Sequence, residues 1–82
     1  MSLFKKRKTD TFNKYQDVIR ERAIAIISEN YPDKEAEGIL ERDFPDIANK
    51  CAGIDVILSF KDIYNTTLDY IFGTTDTPYF TL

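Results

Sequence analysis

Asn65-Thr66-Thr67-Leu68-Asp69-Tyr70-Ile71-Phe72-Gly73-Thr74-Thr75-Asp76-Thr77-Pro78-Tyr79, preceded by the apolar run Ile54-Asp55-Val56-Ile57-Leu58-Ser59-Phe60-Lys61-Asp62-Ile63-Tyr64, is the stretch that decides the fold. It reads as a helix, a sharp turn and a short capped helix. A hydroxyl at Thr66 or Thr67 can accept from the first free amides of Leu68 to Phe72. Gly73 can take the left-handed conformation that closes the segment. In the preceding helix, opened by Asp55, the residues Val56, Ile57, Leu58, Phe60, Ile63 and Tyr64 form a wide apolar surface, as expected of the core helix of a small bundle.

Upstream the same periodicity continues. Phe12, Tyr15, Ile19, Ala23, Ile26 and Ile27, with Val18 alongside, recur at steps of three and four and predict a helix from Thr11 to about Asn30. Lys14, Asp17, Arg20, Glu21 and Glu29 fall off that stripe. Asp10 or Thr11 can cap its start, and Pro32 ends it by disfavouring helical geometry at Tyr31. Asp33 then stands as an N-cap, with Glu35 and Glu37 in a dipole-favoured first turn and Ala36, Ile39 and Leu40 facing inward. Gly38 weakens this helix by about 1 kcal/mol relative to alanine, which implies packing or a close helix approach. Asp43-Phe44-Pro45 breaks the chain, and Pro45 starts a further short helix to about Cys51, with Ile47, Ala48 and Cys51 inward and Gly53 as its stop. The expected architecture is all-α, a compact bundle of about five helices. Residues 1–10 form a basic arm, 11–76 the helical domain and 77–82 a tail.

Eighty-two residues permit one domain with a compact core. A hydrophobic share of 43% and a charged share of 30% are ordinary for a globular chain. No apolar run approaches the roughly 18 residues needed to cross a bilayer, so no membrane role is expected, and the expected address is the cytoplasm. The single cysteine cannot close an intrachain disulfide. Without histidine there is no Ser-His or Cys-His pair and no His-ligated zinc. No catalytic residue, metal site or cofactor is expected. The segment from Asp33 follows an EF-hand loop only superficially, because its twelfth place is Phe44 where a bidentate Glu is required. Asn65-Thr66-Thr67 fits a glycosylation sequon, but a helix stop followed by a cap explains it more simply.

The net charge is −3, yet Lys5, Lys6, Arg7 and Lys8 hold four of the 11 basic residues. The other 7 face 14 acids, a balance of −7 over residues 9–82. A basic arm thus precedes an acidic body, an arrangement suited to phosphates at one end only.

The string from Ile54 to Pro78, about a third of the chain, is similar to the closing element of the Cro/C1-type (Xre) helix-turn-helix family. There a leucine-rich helix is followed by an Asn-x-Ser-Leu-Asp-Tyr-Leu-Leu-Gly-x-Thr-Asp segment. The resemblance implies a λ-repressor-like fold and a small transcriptional regulator that binds double-stranded DNA as a homodimer. It makes the second and third helices the DNA-reading pair. These depart from the family: the Ser-Gln-x-x-Leu-Ala start and the Gly-Val-Ser turn are replaced, the latter by Asp43-Phe44-Pro45-Asp46, and the following connection is shortened to Cys51-Ala52-Gly53. Base edges are left to Asn49 and Lys50, phosphates to Lys5, Lys6, Arg7 and Lys8. Tyr79 and Phe80 lie beyond the last cap, where they either fold back or join a second copy, and they are the candidates for dimerisation.

Charge separates this from an alternative. DNA binding requires Lys34, Arg42, Lys50 and Arg20 or Arg22 on one face with the arm. A protein-interaction module with a degenerate helix-turn-helix fold, contacting a basic protein partner, requires Glu35, Glu37, Glu41, Asp43 and Asp46 as one exposed surface. Either way circular dichroism should show mainly helix and a cooperative thermal transition; a sheet-dominated spectrum would contradict the pattern.

Overall fold

The longest helix, α1 (Gln16–Asn30), touches every other helix of the bundle. Its buried positions, Gln16, Ile19, Ala23, Ile26 and Ile27, repeat at steps of three and four and therefore form one continuous seam. A 3-10 turn at Asn13–Tyr15 leads into it. The computed structural model describes residues 13–79, so the cap expected at Asp10 or Thr11, the arm and Phe80 lie outside the described residues. Around α1 stand α2 (Ala36–Asp43), α3 (Pro45–Ala48), α4 (Ile54–Tyr64) and α5 (Leu68–Ile71). Among the described residues there is no strand, and the chain is a small all-α bundle of five helices. No helix among them is long and apolar enough to cross a membrane.

The core is built where the seam of α1 meets Leu40 of α2, Phe44, Ile47 of α3, Ile57 and Phe60 of α4, and Tyr70 and Ile71 of α5. Phe44 meets Phe60 edge-on at 5.1 Å between ring centroids, and Tyr64 extends the cluster at 4.7 Å from Phe60. The Phe44–Phe60 edge contact suits the ring quadrupoles and adds about 0.5 to 1.5 kcal/mol beyond burial. At the other end Tyr15 and Phe72 stand edge to face at 5.5 Å.

The closing motif forms as its residue types require. α4 ends where Asn65 turns left-handed at φ 56°, a conformation Asn tolerates better than other side chains with a Cβ. The Tyr70 amide donates to Thr67 Oγ1 at 3.1 Å, so Thr67 is the cap. Gly73 has φ 81°, and a Cβ there would lie 2.9 Å from Val18 Cγ2. Backbone geometry and packing both demand glycine at this point.

Several expectations are corrected. α3 is a single turn that ends at Ala48 rather than Cys51, because Lys50 adopts φ 62° and breaks the helical path. That turn carries Cys51 outward, so its thiol is exposed rather than buried. Gly53 is the N-cap of α4 rather than the stop of α3, and α2 starts after Glu35 rather than Asp33. Gly38 makes no close helix approach; the space beside it is open but for Glu35. Leu58 and Ile63 are 39% and 66% exposed, since α4 buries only one side, around Ile57 and Phe60, and nothing among the described residues covers the other.

Burial sets the expected ranking of substitutions. Ile57→Ala and Ile26→Ala should each destabilise by about 2 to 5 kcal/mol in urea titrations, whereas Ile63→Ala should stay within about 0.5 kcal/mol. Gly38→Ala should stabilise by about 0.5 to 1 kcal/mol, as expected for an exposed helical glycine.

Candidate nucleic-acid interface

One side chain fixes the geometry of the region that holds Asn49 and Lys50. The Gln16 amide lies in the buried seam of α1. It donates from Nε2 to the Ala52 carbonyl at 3.1 Å and accepts the Ala52 N–H on Oε1, also at 3.1 Å. The loop between α3 and α4 has no helical partner for these groups, so a primary amide, with one donor and one acceptor side by side, satisfies both. The start of α1 is thereby held against the turn that follows α3.

Lys50, at the top of that turn, reaches Asp17 with Nζ 2.7 Å from Oδ1. Asn49 is the C-cap residue of α3 and is exposed. Both side chains therefore sit on a turn, not on the face of a recognition helix. Lys14, exposed at the start of α1, lies with its ammonium 5.6 Å from the Tyr15 ring centroid. Asn13, where the described chain begins, is at this same end. Of the sequence candidates, Asn49 and Lys50 thus lie on the turn that Gln16 holds against the start of α1, and Lys5, Lys6, Arg7 and Lys8 lie outside the described residues.

The arginines are engaged by the fold. Arg20 donates from Nε to the Ala48 carbonyl at 3.1 Å and pairs with Glu37 at 3.0 Å, which fastens the end of α3 to α1 and α2. Arg22 lies 4.5 Å from the Tyr70 ring centroid, donates to the Thr75 carbonyl at 3.2 Å and faces Asp76. These two arginines build the bundle, through a charged bond to a helix terminus and a cation-π contact. Arg42 pairs with its neighbour Asp43 at 2.9 Å, and this hydrogen bond holds the Asp43 carboxyl below the usual carboxylate range. Lys34 is exposed on the turn before α2. Of the cations a shared basic face would need, Arg20, Arg22, Arg42 and Lys50 each stand against a neighbouring acid. Glu35, Glu37, Glu41, Asp43 and Asp46 are all exposed. Among the described residues no group of three acids or cysteines converges to hold a metal ion.

The tail folds back on its own domain. The Tyr79 hydroxyl donates to Glu29 Oε1 at 2.9 Å, and the Thr66 hydroxyl donates to the Pro78 carbonyl. Between this strap and the α4–α5 turn lies an open cleft of about 700 Å³, lined in part by Lys61, Asn65, Thr67, Leu68 and Tyr79. Tyr79 therefore takes the first of the two fates open to it.

Sequence reasoning missed Gln16, Arg20 and Arg22 as organising residues. Gln16 had a signal: it is a polar residue at a seam position, three before Ile19 and seven before Ala23. For the arginines nothing in their spacing announced carbonyl partners in distant turns. Comparison with protein-family models, curated proteins and solved structures gives no match.

Gln16→Ala should cost about 1 to 3 kcal/mol by leaving buried Ala52 groups unpaired. Gln16→Glu should be more harmful near pH 7 than near pH 4, where a protonated carboxyl regains the donor; urea titrations at the two pH values test this. Burial and Glu29 raise the pKa of Tyr79, and burial raises that of Tyr64. A raised folded-state value favours the neutral phenol, so this stability is complete below the unfolded value near 10 and lost as pH rises through the folded values. Thermal melts should therefore fall steeply above about pH 10, less so in Tyr79→Phe.

Proposed function

We propose that the chain is a small, non-enzymatic, cytoplasmic transcriptional regulator of the Cro/C1 (Xre) type that contacts duplex DNA as a homodimer through the end of the bundle where its basic arm begins. The observation that carries this reading is the Gln16–Ala52 clamp, which holds the start of α1 beside Asn49 and Lys50. The formed closing motif, with Asn65 left-handed, Thr67 as cap and Gly73 as stop, supports the same family. The Lys50–Asp17 pair is exposed on both sides, and such pairs are worth about 0 to 1 kcal/mol, so a phosphate can displace Asp17 at little cost. With α3 only one turn long, affinity rests on phosphates contacted by Lys5, Lys6, Arg7, Lys8, Lys14 and Lys50, and base selection is confined to Asn49 and Lys50. Because Tyr79 is taken up by its own domain, pairing through the tail falls to Phe80.

A second reading, a protein-interaction module for a basic partner, is favoured by the exposed carboxylates of α2 and the turn after it and by the pairing of Arg20, Arg22, Arg42 and Lys50 with neighbouring acids. Duplex binding separates the two. At about 50 mM salt the intact chain should bind duplex DNA, and replacing Lys5, Lys6, Arg7 and Lys8 by Ala should flatten the salt slope by up to about 3 to 4 units per subunit. Replacing Asn49 and Lys50 should cost about 1 to 3 kcal/mol on a preferred site and little elsewhere. No duplex binding at that salt rejects the regulator and leaves the interaction module. Sedimentation of the full chain and of one lacking residues 77–82 tests the homodimer: the shorter chain should pair more weakly.

A further inference from the structure

A cleft of about 400 Å³ opens between the start of α3 and the first half of α4. Its apolar lining comes from Phe44, Pro45 and Val56, and Asp43, Asp46 and Asp55 stand around it. All three carboxylates are exposed. Asp43 is engaged by Arg42, whereas Asp46 and Asp55 form no ion pair among the described residues; Asp46 has only the Cys51 thiol nearby, at 4.0 Å. An apolar floor with unpaired negative rims is complementary to a segment that carries both apolar and cationic side chains.

The chain contains such a segment, Leu3-Phe4-Lys5-Lys6-Arg7-Lys8, and the fold brings its point of departure close to the cleft. Gln16 is bonded to Ala52, which follows Cys51 beside Asp46 and precedes Asp55 by three residues, a span of about 10 Å. From Asn13 back to Lys8 an extended chain reaches up to about 17 Å, and back to Phe4 up to about 30 Å. The linker is thus long enough to lay the cations against Asp46 and Asp55. Attachment to the same chain also raises their effective concentration at the cleft into the millimolar range.

We infer that the α3–α4 cleft is a docking site for the chain's own amino-terminal basic segment, with Phe4 or Leu3 on the Phe44–Val56 floor and Lys5 to Lys8 along the aspartates. The docked arm is withheld from other anions, so the contact is autoinhibitory. Only this last consequence for DNA rests on the regulator reading. The docking itself does not.

Cys51 is the single cysteine and is exposed beside the cleft, so it accepts a nitroxide spin label on the full chain. Nuclear magnetic resonance at low salt should show loss of most of the amide intensity of residues 4–8, with recovery in D46N/D55N and on raising salt to about 0.5 M. Retained intensity at residues 4–8 in the labelled parent chain overturns the proposal. So does broadening that arises only when isotope-labelled chain is mixed with a separate spin-labelled chain, since that places the arm on a second copy. The unlabelled chain supplies a check on the label itself: trypsin should cleave after Lys5 to Lys8 faster in D46N/D55N than in the parent or in D33N/D69N, whose acids lie elsewhere. Equal cleavage rates overturn the docking. If duplex binding is observed, D46N/D55N should tighten it by about tenfold for an arm docked roughly nine-tenths of the time, and D33N/D69N should not. Absence of duplex binding rejects the regulator and leaves the spin-label result to decide the docking on its own.

Discussion

The two hydrogen bonds between the Gln16 side chain and the Ala52 backbone are the constraint on which the rest of this bundle depends. They join residues 36 positions apart and are buried. Buried Ala52, the Arg20 bond to Ala48 and the Lys50–Asp17 pair lie on the same side of the loop, but only these two bonds satisfy its buried backbone groups at Ala52. With them, Lys50 comes within reach of Asp17, α3 is seated so that Arg20 meets its last carbonyl, and α4 starts in the right place to lay Ile57 and Phe60 on the core. A primary amide suits this position because it supplies both complementary bonds without burying a charge.

Charge is distributed in the same spirit of local satisfaction. Arg20 and Arg22 are drawn to backbone carbonyls and a ring face on the inner side of the bundle, and each is closed off by an acid at the rim. The arrangement uses guanidinium groups as rigid forks between elements too short to pack by apolar contact alone. What it leaves for external partners is exposed Lys14 ahead of α1 and a display of exposed carboxylates on α2 and α3.

Much of the fold was legible in the sequence, for identifiable reasons. The stripe Ile19, Ala23, Ile26, Ile27 has a single helical period and one side to bury, so its reading left no choice. The closing motif was legible because Asn65, Thr67 and Gly73 each have a backbone role that few other residues fill. Leu58 and Ile63 were misread because the apolar residues of α4 spread over more than one side, and periodicity does not say which side finds a neighbour. Cys51 and the end of α3 were misread because a left-handed Lys50 carries no signature in composition. At the candidate site the residue types were visible, but their mutual placement depends on Gln16, a contact that local pattern does not encode.

The two shortest helices, α3 and α5, have four residues each. An isolated helix of that length does not survive in water, because nucleation costs more than one turn of hydrogen bonds returns. Neither can persist once its neighbours leave, nor form ahead of them. Both turns therefore take their helical order from the core that Ile47 and Ile71 enter, and loosening of that core melts them with it.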